Sequence, residues 1–155
     1  DFEALFIPYS PLRLKMITSQ LAYYDVKGFT LLGTSMWHTP DLLKKGADYL
    51  EEAVFVDSFL ANGFLPETND FVDIYYSAYS REPENLEALS YDTMEIVLGL
   101  LEDEKIKTRT GFKDALLAVD RFNGATGIVY FRGNHVAQKS AFILRIENGK
   151  LMQVR

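Results

Sequence analysis

Cysteine is absent from the 155-residue chain, which excludes disulfide frameworks, thiolate zinc sites and cysteine nucleophiles. A basic surface is also not indicated: the formal net charge is −6 at pH 7, and Lys and Arg form no cluster. A protein that reads nucleic acid or lies on an anionic membrane needs a basic surface, so both classes are disfavoured. No apolar run approaches the roughly 18 residues that a membrane-spanning helix needs.

Groups for acid–base chemistry are equally few. His38 and His135 are the two histidines, and neither lies in a recognisable catalytic motif. His135 follows a Gly-Asn turn and is expected to be exposed, whereas His38 follows a strand end and is a candidate for a cleft position. The acidic runs at 51–52 and 102–104 predict solvated faces rather than a metal site. We therefore expect a protein that is not an enzyme and that holds no metal or cofactor.

The remaining composition is that of a globular domain. Hydrophobic residues make up 48% of the chain and charged residues 25%. The sequence begins at Asp1 without an initiator Met and runs at once into an apolar segment. We expect the chain to be a truncated or processed form of a longer protein.

A β-α-β unit is predicted at the start of the chain. Short apolar runs at 4–8 and 29–33 predict two buried strands. The helix between them has Ser10 and Pro11 as a favourable N-cap and first residue, and an expected end near Gly28. Its predicted apolar stripe consists of Leu14, Met16, Ile17 and Leu21. Such a unit makes the two strands parallel and indicates the α/β class.

Helices dominate the middle of the chain. A short helix is predicted over 39–46 and a third strand over 52–59. Three helices are expected to follow. The first has Thr68 or Asn69 as its N-cap, the second follows a break at 81–83, and the third follows Thr110-Gly111.

The pattern changes at Phe122. Turn signals stand at Asn123-Gly124, Gly133-Asn134 and Asn148-Gly149, and the last of these predicts an antiparallel hairpin. Three strands of the parallel type are too few for a complete doubly wound sheet, which agrees with a chain that starts within a sheet.

Aromatic residues stand out at three places. Tyr23-Tyr24 and Tyr75-Tyr76 are adjacent pairs, and neighbours on a helix point about 100° apart, so one of each pair should be core and the other boundary. Trp37 follows the carboxyl end of the second strand, the edge where α/β proteins bind ligands. Trp37 either stacks on a ligand there or packs on its own loop.

Four blocks in order resemble the type I periplasmic binding fold of leucine/isoleucine/valine-binding proteins and extracellular ligand-binding receptors. The blocks are residues 1–8, residues 29–37, Phe71-x-x-x-Tyr75-x-x-x-Tyr79 with Pro83 and Tyr91-Asp92, and Phe122-x-Gly124-x-Thr126-Gly127 with Phe131-x-Gly133 and Asn148-Gly149. The resemblance spans essentially the whole chain. Trp37-His38-x-Pro40 and the stretch 53–57 look closest to the penicillin-binding-protein-activator branch of this family.

The resemblance implies a partial two-lobe α/β fold, with a parallel sheet flanked by helices and a C-terminal antiparallel hairpin. Residues 1–54 and 139–155 would form part of the second lobe, and residues 55–138 part of the first. The implied function is an extracytoplasmic solute-binding or receptor domain of the ABC-transporter type that closes around a ligand. The alternative is an envelope protein that activates peptidoglycan synthesis and has a vestigial cleft.

The resemblance also implies ligand-binding residues on two loops and one wall. These are Tyr9 and Ser10 on the first loop, Ser35, Met36 and Trp37 on the second, and Leu86 and Tyr91 on the first-lobe wall. Amino-acid receptors usually place a carboxylate in the second loop, where Ser35 stands here. That difference argues against an amino acid, since a buried ammonium needs a charge partner.

The resemblance further implies partners and a location. The expected partner is a small ligand (an amino acid or peptide-like molecule) or an envelope protein, and not nucleic acid. Unpaired strand edges favour association with a missing N-terminal half or a swapped dimer. The expected location is periplasmic or otherwise extracytoplasmic, with a lipid anchor supplied by the N-terminal part.

Overall fold

The computed structural model describes residues 2–39, 42 and 47–154, and for residues 47 and 48 the backbone only. The chain forms two compact units. Residues 1–57 and 142–155 form one, called here the sheet unit, and residues 58–141 form the other, the helix unit. Among the described residues, no helix is long and apolar enough to cross a membrane.

The secondary structure alternates at first and then becomes helical before it ends in strands. The strands are β1 (Ala4–Phe6), β2 (Thr30–Gly33), β3 (Val54–Asp57), β4 (Phe122–Gly124), β5 (Gly127–Tyr130), β6 (Gln138–Lys139), β7 (Phe142–Glu147) and β8 (Lys150–Val154). The helices are α1 (Pro11–Tyr23), a 3₁₀ turn (Ser35–Trp37), α2 (Ala47–Leu50), α3 (Pro66–Tyr79), α4 (Asn85–Leu101) and α5 (Arg109–Leu117).

The sheet unit is built on a five-stranded sheet in the order β1-β2-β3-β7-β8. β1, β2 and β3 are parallel, while β7 is antiparallel to both β3 and β8. The β7–β8 turn holds Asn148 and Gly149 at φ values of 52° and 69°, the left-handed pair that a tight hairpin turn requires. The predicted α/β fold with its three parallel strands and closing hairpin is therefore confirmed.

The two faces of this sheet differ in exposure. One face is buried, and its side chains include Leu31, Phe55, Leu144 and Ile146. The strand register places Phe6, Leu32, Val54, Arg145 and Met152 in one row of the opposite face, and Val56 beside Ile143 on that same face. We call the exposed apolar residues of this second face the open face: Phe6, Val56, Ile143 and Met152, which are 45–58% exposed.

The helix unit has a small aromatic core of its own. Phe59, Phe71, Ala88 and Ala125 form its buried centre, and Tyr91 packs against them. The ring centroid of Phe71 lies 4.7 Å from that of Tyr91 and 6.1 Å from that of Phe59. A three-stranded antiparallel sheet, β4-β5-β6, belongs to the same unit.

A buried carboxylate joins α4 to the β4–β5 turn in the helix unit. Asp92 is 3% exposed and accepts hydrogen bonds from the backbone N–H groups of Ala125 (2.7 Å) and Thr126 (2.9 Å). The hydroxyl of Thr126 donates to the same carboxylate. Gly124 allows this approach, since a Cβ there would lie 2.5 Å from the carboxylate. The hydroxyl of Thr68 donates to the carbonyl of Ala125 over 2.7 Å and completes the connection.

The first helix ends earlier than predicted. α1 stops at Tyr23 and not near Gly28, because Asp25 adopts the left-handed conformation at φ 56°. The N–H of Val26 then bonds the carbonyl of Leu21 and the N–H of Asp25 bonds that of Ala22, as in a Schellman motif. The terminating residue is thus an Asp rather than the glycine that the sequence favoured.

Two further predictions for α1 are wrong. Tyr23 and Tyr24 are 80% and 69% exposed and contact each other at the helix end, so neither is core. Met16 is 66% exposed and does not belong to the apolar stripe. The second pair behaves as predicted, with Tyr75 half-buried and Tyr76 exposed.

Three predictions from local sequence signals in the helix unit are wrong, and a fourth prediction, in the sheet unit, lies mostly outside the described residues. α3 starts at Pro66 with Leu65 as its N-cap, because the hydroxyl of Thr68 is used for the Ala125 carbonyl instead. α5 starts at Arg109, before Thr110-Gly111, and Thr108 caps it by accepting from the N–H of Gly111. Asn123-Gly124 lies in β4 rather than in a turn. The helix predicted over 39–46 lies mostly outside the described residues.

Candidate functional site

The candidate site lies in the sheet unit where three parallel strands end. β1, β2 and β3 run in the same direction, so their carboxyl ends lie on one edge of the sheet. We call the residues there the strand-end edge: 7–10 after β1, 34–39 after β2, and Asp57 at the end of β3. Loops at this edge of α/β sheets are where ligands are commonly bound.

Trp37 is the buried centre of this edge. It is 1% exposed, and its indole N–H donates a hydrogen bond to the carbonyl of Tyr9 over 3.2 Å. A Cβ on Gly33 would lie 2.3–2.4 Å from the indole carbons, so the ring rests on a backbone that has no side chain. Its centroid is 6.1 Å from that of Phe55. Of the two interpretations left open by the sequence, packing on its own loop describes this geometry, and contact with a ligand stays a prediction.

The other predicted residues of the two loops are more accessible. Tyr9 is 47% exposed, with the guanidinium carbon of Arg13 lying 5.6 Å from the centre of its ring. Ser10 is half-buried and stands at the N-cap of α1, but its side chain makes no capping hydrogen bond. Ser35 and Met36 are exposed in the 3₁₀ turn. The structure therefore brings the two predicted loops together through Trp37 and Tyr9.

A histidine–aspartate pair stands beside Trp37. The Nδ1 atom of His38 lies 2.5 Å from the Oδ2 atom of Asp57. The side chain of Asp57 is 2% exposed, whereas that of His38 is 28% exposed. The 3₁₀ turn positions the imidazole, because the N–H of His38 bonds the carbonyl of Ser35 over 3.0 Å. The pair thus combines a buried carboxylate with a ring that reaches solvent.

Two hydroxyls at this edge have no hydrogen-bond partner within the described part of the chain. The Oγ1 atoms of Thr34 and Thr39, which flank the 3₁₀ turn and His38, are both buried and unpaired. Buried hydroxyls usually find a partner, so these two are unusual among the polar groups that the structure describes.

Leu86 and Tyr91 lie in the helix unit. Leu86 is 75% exposed near the start of α4. Tyr91 packs in the aromatic core, and burial, followed by the negative charges of Glu95, Asp92 and Asp70, raises the pKa of its hydroxyl. Whether either residue meets a ligand stays a prediction.

Sequence reasoning missed the two buried aspartates, Asp57 and Asp92. A signal for each was present, because Asp57 ends β3 at the strand-end edge and Asp92 belongs to one of the blocks that carried the family resemblance. Neither position showed that its carboxylate would be buried, since the partners are 19 residues away for Asp57 and 33 and 34 residues away for Asp92.

The expected solvated positions are found where they were predicted. His135 and the acidic runs 51–52 and 102–104 are exposed. Glu51 also accepts from the N–H of Asn148 over 2.6 Å and so supports the closing hairpin. The described residues contain no group of three or more His, Cys, Asp or Glu side chains that could hold a metal ion.

Comparison with solved structures gives the fold independently. A leucine-binding protein, LivK, from Thermotoga maritima is 25% identical, with a TM-score of 0.75 over 98% of this chain and 43% of that protein. LivJ from Streptococcus pneumoniae, a branched-chain amino acid transporter substrate-binding protein in complex with isoleucine, is 23% identical, with a TM-score of 0.71 over 99% of this chain and 45% of that one. A solute-binding protein from R. palustris in complex with benzoate is 16% identical, with a TM-score of 0.66 over 98% and 42%.

The chain spans less than half the length of these proteins, because the match covers 42–45% of their residues. No curated protein matches the sequence significantly. The sequence profile of the periplasmic binding proteins matches residues 17–150. With that profile covering most of the chain and with the same fold in the solved structures, the chain belongs to the periplasmic binding protein family.

Proposed function

We propose that the chain is part of an extracytoplasmic solute-binding protein of the ABC-transporter type, which closes two lobes around a small ligand and performs no chemistry. The observation that carries this proposal is the strand-end edge, where the second-loop residue Trp37 is tied to the carbonyl of Tyr9. This contact fixes the two predicted ligand loops relative to each other, and a preformed site loses less conformational freedom on binding. Similar proteins are in complex with isoleucine and benzoate, which supports a ligand of that size.

Family membership implies an extracytoplasmic location, and we keep a lipid anchor in the rest of the protein as a prediction. We assign the sheet unit to the second lobe and the helix unit to the first. The activation of peptidoglycan synthesis by an envelope protein of this fold stays an alternative prediction, and no contact among the described residues favours it.

The test is thermal unfolding of the full-length protein that contains this chain, in the presence of amino acids, short peptides, aromatic acids and peptidoglycan fragments. A ligand that binds only the folded state adds about 2.7 kcal/mol of stability at a hundredfold excess over its Kd. We expect Tyr9→Ala to abolish the resulting rise in Tm. Tyr23→Ala is the matched control, because Tyr23 is another exposed tyrosine of the sheet unit and lies at the far end of α1. A full panel without any shift in Tm would contradict the proposal.

We further propose that helices from the rest of the protein cover the open face. Sheets with parallel strands are normally covered on both faces, and four large apolar side chains stand exposed on this one. The solved relatives are more than twice as long as the chain, so they contain further elements that a matching protein could supply.

Introducing a charge on the open face tests whether helices from the rest of the protein cover it. In the full-length protein we expect Val56→Lys to lower the Tm strongly, because the lysine would be buried beneath a helix. In the 155-residue chain alone the same change should leave the Tm nearly unaltered. Met16→Lys, on the exposed side of α1, is the control and should be neutral in both. Equal and small effects of Val56→Lys in both proteins would contradict the proposal, and a dimer of the isolated chain that Val56→Lys dissociates would point to a second copy instead.

A further inference from the structure

The imidazole of His38 is the one side chain of the strand-end edge that is held by a buried group and also reaches solvent. Its Nδ1 atom is engaged by Asp57 at 2.5 Å. Its Nε2 atom has no hydrogen-bond partner among the described residues, and the side chain is 28% exposed to solvent. One nitrogen therefore fixes the ring while the other remains available.

The described residues of this edge contain one acidic group. Asp57 is the one carboxylate among residues 7–10, 34–39 and 57. It is 5% exposed and already paired with His38, so it does not meet a ligand directly. The accessible groups of the edge are instead the hydroxyls of Tyr9, Ser10 and Ser35 and the imidazole itself. Among the described residues of this edge a ligand ammonium would meet no accessible carboxylate, and its burial without one is costly.

We propose, on the basis of the solute-binding function above, that His38 is the residue of this edge that determines specificity and that it binds a carboxylate of the ligand through Nε2. The hydrogen bond to Asp57 sets the ring orientation and places the Nδ1 proton between the two side chains. A ligand carboxylate at Nε2 would accept a hydrogen bond from one side of the ring while Asp57 accepts from Nδ1 on the other. Charge-assisted hydrogen bonds of this kind are stronger than neutral ones.

The preferred ligand class is then an organic acid, and its ammonium group, if it has one, contributes nothing at this edge. Three compounds with the same branched chain test whether the site recognises the carboxylate or the ammonium group. Leucine carries both charges, isocaproate carries the carboxylate alone, and isoamylamine carries the amine alone. Benzoate and benzylamine repeat the comparison on an aromatic frame. Titration calorimetry of the full-length protein measures each Kd directly.

We expect isocaproate or benzoate to bind at least as tightly as leucine, and the two amines not to bind. His38→Gln, which keeps hydrogen-bonding groups but removes the charge, should weaken acid binding at least tenfold. His38→Lys, which restores a positive charge, should bind the acids more tightly than the Gln variant. His135→Gln is the matched control for the exposed second histidine and should leave every Kd unchanged.

The outcomes separate this inference from the function on which it rests. Acids that bind equally well to wild type and His38→Gln would overturn the role of His38, as would tight binding of the amines. Tight binding of leucine that requires its ammonium group would have the same consequence. Failure of all five compounds, together with failure of the wider panel above, would instead count against solute binding itself.

Discussion

The two buried aspartates, one in each unit, are nearly equal in exposure and very different in their partners. Asp57 is 5% exposed and Asp92 is 3% exposed. Asp92 is surrounded by two backbone N–H groups and one hydroxyl, all contributed by Ala125 and Thr126. Asp57 pairs with an imidazole that is itself partly exposed.

This difference separates a structural carboxylate from one that, in our proposal, orients a ligand-binding histidine. The donors around Asp92 are two backbone N–H groups and one hydroxyl of the β4–β5 turn, so the carboxylate fixes the chain path between α4 and β5. One partner of Asp57 is the side chain of His38, whose Nε2 atom has no hydrogen-bond partner among the described residues, so the carboxylate orients a group that can act elsewhere. Burial alone does not distinguish the two roles, whereas the chemistry of the donors does.

The comparison is tested most directly by making the same change at both positions. In Asp92→Asn, one oxygen becomes an NH₂ group, and in either orientation this group faces a backbone N–H, of Ala125 or of Thr126. We expect a loss of about 3 kcal/mol in the free energy of unfolding, because buried donors are left unpaired. In Asp57→Asn, the amide oxygen can still accept from His38, so we expect a loss of about 1 kcal/mol.

The measurement can assign each loss to its unit. Trp37 is the single tryptophan and belongs to the sheet unit, so its fluorescence in urea follows that unit, while far-UV circular dichroism follows both. Asp92→Asn should lower the midpoint seen by circular dichroism more than that seen by fluorescence. Equal losses for Asp92→Asn and Asp57→Asn would remove the distinction drawn between them.

Two glycines extend the comparison to the packing of Trp37. In Gly33→Ala the new methyl group would lie 2.3–2.4 Å from the indole carbons, so the ring must move, and we expect a loss of about 2 kcal/mol with a shift of the Trp37 emission to longer wavelength. Gly99→Ala is the matched control in α4, where a Cβ meets nothing within 4 Å. It should stabilise the helix unit by about 0.5–1 kcal/mol. An unchanged emission in Gly33→Ala would show that the indole is not seated on this backbone.

A smaller effect is expected for the hydroxyl that supports the Asp92 turn. Thr68 is fully buried, and its hydroxyl donates to the carbonyl of Ala125 over 2.7 Å. Thr68→Val keeps the shape and removes one hydrogen bond, so we expect a loss of about 1 kcal/mol. Thr93→Val is the control, because the hydroxyl of Thr93 bonds a carbonyl of its own helix on the exposed surface. A loss in Thr68→Val no larger than in this control would mean that the Thr68 bond adds nothing to the turn.

The sequence predicted the parts of the fold that depend on neighbouring residues. The apolar runs of β1, β2 and β3 and the Asn148-Gly149 turn are local signals, and each was found where it was expected. The prediction that β1 is buried was wrong, because β1 is the edge strand of the sheet and Phe6 is exposed. The end of α1 was missed because Asp25 takes a backbone conformation that usually favours glycine.

The candidate site was predictable in position but not in its contacts. The place of Trp37 after β2 follows from strand direction, whereas its burial depends on the absent side chain of Gly33 and on the carbonyl of Tyr9, which is 28 residues away. The same holds for Asp92, because local periodicity carries no information about a partner in a distant turn. Long-range polar contacts therefore had to come from the structure.

The smallest expected effect concerns an exposed ion pair at the start of α4, which contrasts with both buried aspartates. The guanidinium of Arg81 donates to Glu87 over 2.7 Å and holds the pKa of that carboxyl below its usual range, with help from backbone N–H groups. Because the folded-state pKa is lowered, the stabilisation is present above the pKa of an unfolded glutamate and is lost as the pH falls through the lowered value. We expect Glu87→Gln to lower the Tm slightly at neutral pH and not at all in acid, with the difference reduced by salt. Glu102→Gln, an exposed glutamate at the other end of the helix, is the control, and a difference at Glu87 that persisted in acid would assign its effect to the capping of α4 rather than to charge.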